Sequence, residues 1–146
     1  MDPETVNEYE VFNDLRDGSS SGNTAPPSLD VVTTFYRDIF LKAQMESDCI
    51  IMSLIYVEKL IKRTRGALRP RASNWRSLIF SCMILSSKVW DDLSMWNVDF
   101  SQSCPRGVSF PLQRINDLEI NILKALGFQV KVPASEVSFY ICIPCF

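Results

Sequence analysis

The sequence predicts an all-α domain, a bundle of five helices around a buried central one. Three observations lead there. Apolar residues recur at helical spacing in successive segments joined by short loops. Two of those segments, 46–63 and 74–92, are too apolar to leave much polar face, so they belong in the interior. No heptad continues from one segment into the next, which favours a globular bundle over an elongated coiled coil.

In chain order, residues 1–28 read as a mobile arm. Asp2, Glu4, Glu8, Glu10, Asp14 and Asp17 oppose only Arg16, and Gly18 to Pro27 reads as a flexible linker with a stiff end. Ser19–Ser21 could accept phosphate, although a solvated tether is the simpler explanation. Ser28 is placed to cap a first helix, with Val31, Val32, Phe35, Ile39, Phe40 and Ala43 on its apolar face. That helix is expected to run to about Gln44.

A second helix is expected from Glu46-Ser47-Asp48, where acidic and hydroxyl residues suit the helix dipole. Ile50, Ile51, Met52, Leu54, Ile55, Tyr56, Val57, Leu60 and Ile61 make it broadly apolar, and Lys62 and Arg63 close it. Arg63–Arg71 then forms a loop broken by Gly66 and Pro70. From Lys59 to Arg76 there are seven basic residues and no acidic one. Lys62, Arg63, Arg65, Arg69 and Arg71 therefore form either a solvated loop or a docking patch for an acidic or phosphorylated partner. Aromatic interleaving is missing, which argues against nucleic acid.

The central helix, Asn74–Asp92, starts at an N-cap candidate and carries Leu78, Ile79, Phe80, Cys82, Met83, Ile84, Leu85 and Val89. Its serines, Ser77, Ser81, Ser86 and Ser87, permit close helix approach and can bond the preceding turn. A short fourth helix is expected over Leu93–Ser103, and Cys104-Pro-Arg-Gly107 breaks it. Pro111 suits the first turn of a fifth helix striped by Leu112, Ile115, Leu118, Ile122, Leu123 and Leu126, with Gly127 as its C-cap. Phe128 to Pro133 should be extended. The stretch 139–146 reads as an atypical or truncated C-terminus after a domain spanning 29–138.

Composition narrows the function. A net charge of −2 gives no general pull toward nucleic acid. No apolar run reaches the ~18 residues of a membrane span, and the acidic start lacks a signal core or a myristoylation glycine. An intracellular protein of cytoplasm or nucleus is expected. The five cysteines are odd in number, and Cys49 and Cys82 fall inside apolar helical patterns, as reduced core thiols would. Cys142-x-x-Cys145 has redox spacing but no second pair. With no histidine, no Gly-rich phosphate loop and no activated nucleophile, neither catalysis nor a cofactor or metal is expected. Asp91 and Asp92 point about 100° apart on a helix, so they do not converge on an ion.

Two charges stand out. Glu119 falls within the apolar stripe between Ile115 and Ile122, and Lys88 follows Ile84 and Leu85 by one turn. Either the two meet as a structural ion pair, or both surface on one face and bond a partner; residue types alone leave both open.

These residues carry a resemblance. The second helix, the central helix ending L-S-S-K (Leu85–Lys88) and L-E-I-N-I-L (Leu118–Leu123) resemble a cyclin box, a five-helix bundle around a buried central helix. The stretch K-V-W-D-D-x-x-x-W-N-V-D-F from Lys88 to Phe100, with F-Q-V-K-V-P-A-S from Phe128 to Ser135, is most similar to the Y-type cyclins. The resemblance implies a non-catalytic subunit that binds and activates a cyclin-dependent serine/threonine kinase, of PFTAIRE type for this branch. It also implies that Lys88 and Glu119, with Trp90, Asp91, Asp92 and Trp96 beside them, contact the kinase. The alternative it allows is a cyclin-fold adaptor that activates no kinase. It does not extend to a myristoyl glycine, to the M-R-x-x-L docking pattern (F-Y-R-D-I-F stands here, Phe35–Phe40), or to a tyrosine-rich helix in place of 138–146.

Overall fold

The computed structural model describes residues 9–14, 25–91, 95–105 and 107–137. Among the described residues, five α-helices follow a short 3-10 turn at Glu10–Phe12, and residues 134–137 make a further helical turn. The five are α1 (Leu29–Lys42), α2 (Ser47–Arg63), α3 (Trp75–Trp90), α4 (Asn97–Gln102) and α5 (Leu112–Ala125). No strand occurs among the described residues. The expected all-α bundle and its order of elements are what the chain forms.

Helix α3 is the axis. Trp75 and every residue from Ser77 to Ser87 are buried, so no side of this helix over that length faces water. Helix α2 packs along it, α5 packs against it from another side, α4 rests on α5, and the 3-10 turn also touches α5. Phe35 of α1 meets Trp75 edge-on at 5.2 Å between ring centroids, and Phe80 stacks at a tilt on Phe110 at 4.6 Å. Burial at this density is the main force holding the bundle, at about 1.5–3 kcal/mol for each fully buried large apolar side chain.

Two of the buried hydroxyls of α3 are satisfied within the helix. Ser81 donates to the carbonyl of Ser77, and Ser86 donates to that of Met83 at 2.8 Å. Cys49 and Cys82 are fully buried free thiols. Burial pushes the Cys49 thiol up to about 12, aided by the neighbouring Asp91 carboxylate, and it raises Cys82 further. Both therefore remain protonated, core-filling groups at neutral pH.

Helix ends follow the chemistry of their flanks. Ser28 caps α1 by accepting from the Val31 N–H at 3.3 Å. The α5 C-terminus closes through Gly127 at φ +61, where a Cβ would come within 2.2 Å of the Arg63 guanidinium. The expected fourth helix is shorter than its apolar pattern, beginning at Asn97 with Trp96 as its N-cap residue.

The reading of 1–28 as a mobile arm fails for residues 9–14. Phe12 is 1% exposed and Val11 is also buried. Asp14 reaches α3 and accepts from the backbone N–H of Arg76 at 3.0 Å and of Ser77 at 2.8 Å, and from the Ser77 hydroxyl. Asn74, expected to cap α3, instead accepts from the Arg71 N–H at 2.6 Å and donates to the Arg69 carbonyl at 3.2 Å. The cap of the central helix thus comes from sixty-two residues upstream. Buried Arg114 of α5 completes the arrangement, donating to the carbonyls of Asn13 (2.8 Å) and Val11 (3.3 Å) and to the Ser77 hydroxyl (2.7 Å). Sequence acidity read these residues as solvated; tertiary burial of Val11 and Phe12 overrides it.

Candidate functional site

Lys88 sits in the last turn of α3, where the helix emerges from the core. Glu119 sits two turns along α5, on the face that also carries Leu112 and Asn116. The two helices bring them together: Lys88 Nζ donates to Glu119 Oε1 at 2.7 Å. Their side chains retain 27% and 24% exposure. The pair is therefore neither sealed in the core nor freely solvated. The ion pair of the first alternative is formed, and it lies at a part-exposed position.

Glu119 has a second partner. Its Oε2 accepts from Asn97 Nδ2 at 2.8 Å, and Asn97 Nδ2 also reaches Asn116 Oδ1 at 2.7 Å. Burial by itself would raise the Glu119 carboxyl, but the bonds from Asn97 and Lys88 and the lysine charge outweigh it and hold the group below its ordinary value. Glu119 is consequently a fixed carboxylate at neutral pH. The buried Oδ1 of Asn97 has no hydrogen-bond partner, so a polar acceptor in this corner is left open.

Beside the pair lies an open groove of about 600 Å³, lined by Lys88, Met95, Trp96, Asn97, Val98, Leu112 and Asn116. Trp96 is 79% exposed, and Val89, Val98 and Leu112 also show large apolar area. An exposed tryptophan next to a charged pair and other surface aliphatics is a cluster of the sort that marks contact with another protein.

The other expected site residues divide. Trp90 is half-buried and packs on the core. Asp91 turns inward, accepting from the Ser87 hydroxyl at 2.8 Å and from the Cys49 thiol at 3.6 Å, which secures the end of α3 to α2. Asp92 lies outside the described residues, as do Ser19–Ser21 and Cys142-x-x-Cys145. Leu112, expected in the buried stripe of α5, instead lines the groove. Asn97 and Asn116, which hold Glu119 and line the groove, were not singled out by residue type. Their signal was weak: asparagines at a helix start and one turn before Glu119.

In the basic loop, Lys62 pairs with Glu58 at 2.7 Å and Lys59 lies 3.9 Å from Glu136, so part of that charge is balanced. Arg63 folds against Gly127. Arg65, Arg69 and Arg71 are exposed. Among the described residues no group of His, Cys, Asp or Glu could hold a metal. No described helix is long and apolar enough to cross a membrane.

The chain is thus a bundle around a fully buried helix, with a surfacing lysine–glutamate pair beside an apolar groove. The comparison with known families gives its class. A protein-family model described as Cyclin matches residues 7–130, and the chain belongs to the cyclin family. The match begins before the docked 3-10 turn, in keeping with residues 9–14 being integral to the fold. Cyclins are regulatory subunits without catalytic activity, and a cyclin domain implies a protein-kinase partner.

Proposed function

We propose that this chain is a Y-type cyclin that binds and activates a cyclin-dependent serine/threonine kinase of PFTAIRE type inside the cell. Lys88, Glu119 and Trp96 form the centre of the contact, with Trp90 flanking it. The observation that carries this reading is the Lys88–Glu119 bond, part-exposed at the rim of a groove from which Trp96 projects.

The chemistry suits capture of a helix. Trp96, Val98 and Leu112 offer apolar area to one face of an amphipathic segment. Lys88 and Glu119 offer one cation and one anion whose mutual bond keeps each from standing unpaired before the partner arrives. A partner carrying complementary charges would bond both and exclude the remaining water, strengthening each contact. Holding a movable kinase helix in its active position is how such a grip raises turnover. Asp91, spent on Ser87 and Cys49, shapes the end of α3 rather than gripping the kinase.

The test is a pull-down and a peptide-phosphorylation assay with a purified PFTAIRE-type kinase. Lys88→Ala or Glu119→Ala should weaken binding by about tenfold or more, since truncating one member of a desolvated charged contact costs about 2–5 kcal/mol. Trp96→Ala, at a position so exposed that folding cannot depend on it, should weaken binding by a similar factor. Circular dichroism should show native helix content in all three. Undiminished binding by Trp96→Ala would overturn this placement of the contact, and tight binding with no rise in kinase turnover would identify an adaptor instead.

A further inference from the structure

We propose that Ser73 is a phosphorylation site for a serine/threonine kinase with an acidic substrate cleft, and that phosphate there loosens residues 9–14 from the central helix. This is separate from the kinase-contact surface: here the chain is a substrate, and the loop between α2 and α3 is the site.

The recognition features are local. Arg69-Pro70-Arg71-Ala72-Ser73 puts guanidinium groups four and two residues before the serine, and Arg76 follows three residues after it. An acidic cleft selects such a segment by charge complementarity. Arg69, Pro70, Arg71 and Ser73 are all exposed, and residues 69–71 have no regular structure. Burial anchors the loop at its ends, by Leu68 at 1% exposure and Trp75 at 4%, and the Ser73 carbonyl is tied to the docked segment. Between them the turn is held by the Asn74 side chain, through Arg71 N–H and the Arg69 carbonyl. Surface bonds of this kind contribute about 1 kcal/mol each, so the segment can open into a kinase cleft while both helices stay folded. The transfer itself is ordinary: Ser73 Oγ forms a bond to the γ-phosphorus of ATP, its proton passes to the kinase's base, and the bond to the ADP oxygen breaks.

The consequence follows from what crosses this point. The Ser73 carbonyl accepts from the Asp14 N–H at 2.7 Å. The Asp14 carboxylate lies just beyond it on the first-turn amides of α3. A phosphoserine adds a charge of about −1.5 to −2 and three strong acceptors. Set beside Asp14, it repels that carboxylate and competes for the same amides. Burial already disfavours the ionised form of Asp14. The docked segment is therefore the element whose equilibrium the new charge shifts.

The full chain is incubated with ATP and a purified protein kinase C-type catalytic domain, and sites are mapped by tandem mass spectrometry. Phosphate should enter at Ser73, and the double variant Arg69→Ala/Arg71→Ala should lower that rate by about tenfold with unchanged circular dichroism. A synthetic peptide of residues 66–77 serves as the accessibility control. Modification of the peptide but not of the folded chain, or of neither, overturns the site. Amide hydrogen exchange then reads the consequence: phosphorylation should lower protection of residues 10–14 by about tenfold or more. Equal protection in both forms would overturn the coupling.

Discussion

Asp14 shows how much a single side chain can decide. It supplies the oxygens that the first-turn amides of the most buried helix require, a role expected of Asn74 next in sequence. Asp14→Ala should lower the unfolding free energy by about 2–3 kcal/mol: loss of a cap costs about 0.5–2, and stranding the Ser77 hydroxyl adds to it. Asp14→Asn, which keeps one accepting oxygen, should cost less. Urea denaturation midpoints decide this, and equal stability of Asp14→Ala and the native chain would refute it. Glu119 carries the pH dependence of the candidate site. Its carboxyl is held below the ordinary 4.5, so its contribution is complete above that value and disappears as the pH falls through the lowered one. Asp14 runs the other way: with its carboxyl raised above 3.8, its contribution is complete below that value and declines as the pH rises through the raised one. The two are separated by following the stability difference between the native chain and Glu119→Gln. That difference should shrink on acidification from neutral pH, and a constant difference would mean that Glu119 is not stabilised as a carboxylate. Lys88 and Glu119 were legible in the sequence because a charge inside an apolar stripe is conspicuous at helical spacing. Asn97, their third partner, was not, because a neutral amide at a helix start is commonplace.

Among the elements, α3 was the most readable. A segment apolar all round admits one location, and the hydroxyls of Ser81 and Ser86 bond the preceding turn as their spacing allows. Helix α4 was the least readable: six residues give too little periodicity to set its start, and only Phe100 is buried within it. Its shortness matters, because it leaves Trp96 outside the helix and exposed at the groove. The α5 C-terminus offers an element-level test. Gly127 occupies the left-handed region at φ +61, with Arg63 laid across the position of a missing Cβ. Gly127→Ala should lower the thermal midpoint, with about 1 kcal/mol from backbone strain. Because the obstructing group is the end of a flexible side chain, the same substitution in an Arg63→Ala background should retain most of that loss. If the loss disappears in that background, the clash rather than the backbone was responsible.

Across the whole molecule, residues 9–14 behave as part of the domain despite lying at the edge of an acidic, polar stretch. They bury Val11 and Phe12, cap α3 and receive Arg114 from α5, so three parts of the chain distant in sequence meet at Ser77. Deleting residues 1–14 removes two buried side chains worth about 1.5–3 kcal/mol each together with the cap, roughly 5 kcal/mol in total. That approaches the entire stability of an ordinary domain, about 5–15 kcal/mol. The shortened chain should melt far lower or lose cooperative unfolding in calorimetry, whereas an unchanged transition would place the segment outside the cooperative unit.

Helical period, the buried central rod and the two misplaced charges were set by the order of residues alone, because local sterics and the segregation of apolar faces act over a few turns of chain. The cap from Asp14, the exposure of Trp96 and the bond that joins Lys88 to Glu119 were decided only when distant segments packed. Each depends on which surfaces burial brings within about 3 Å of one another, and hydrogen bonds and ion pairs are selective at that range. No pattern within a single helix records it.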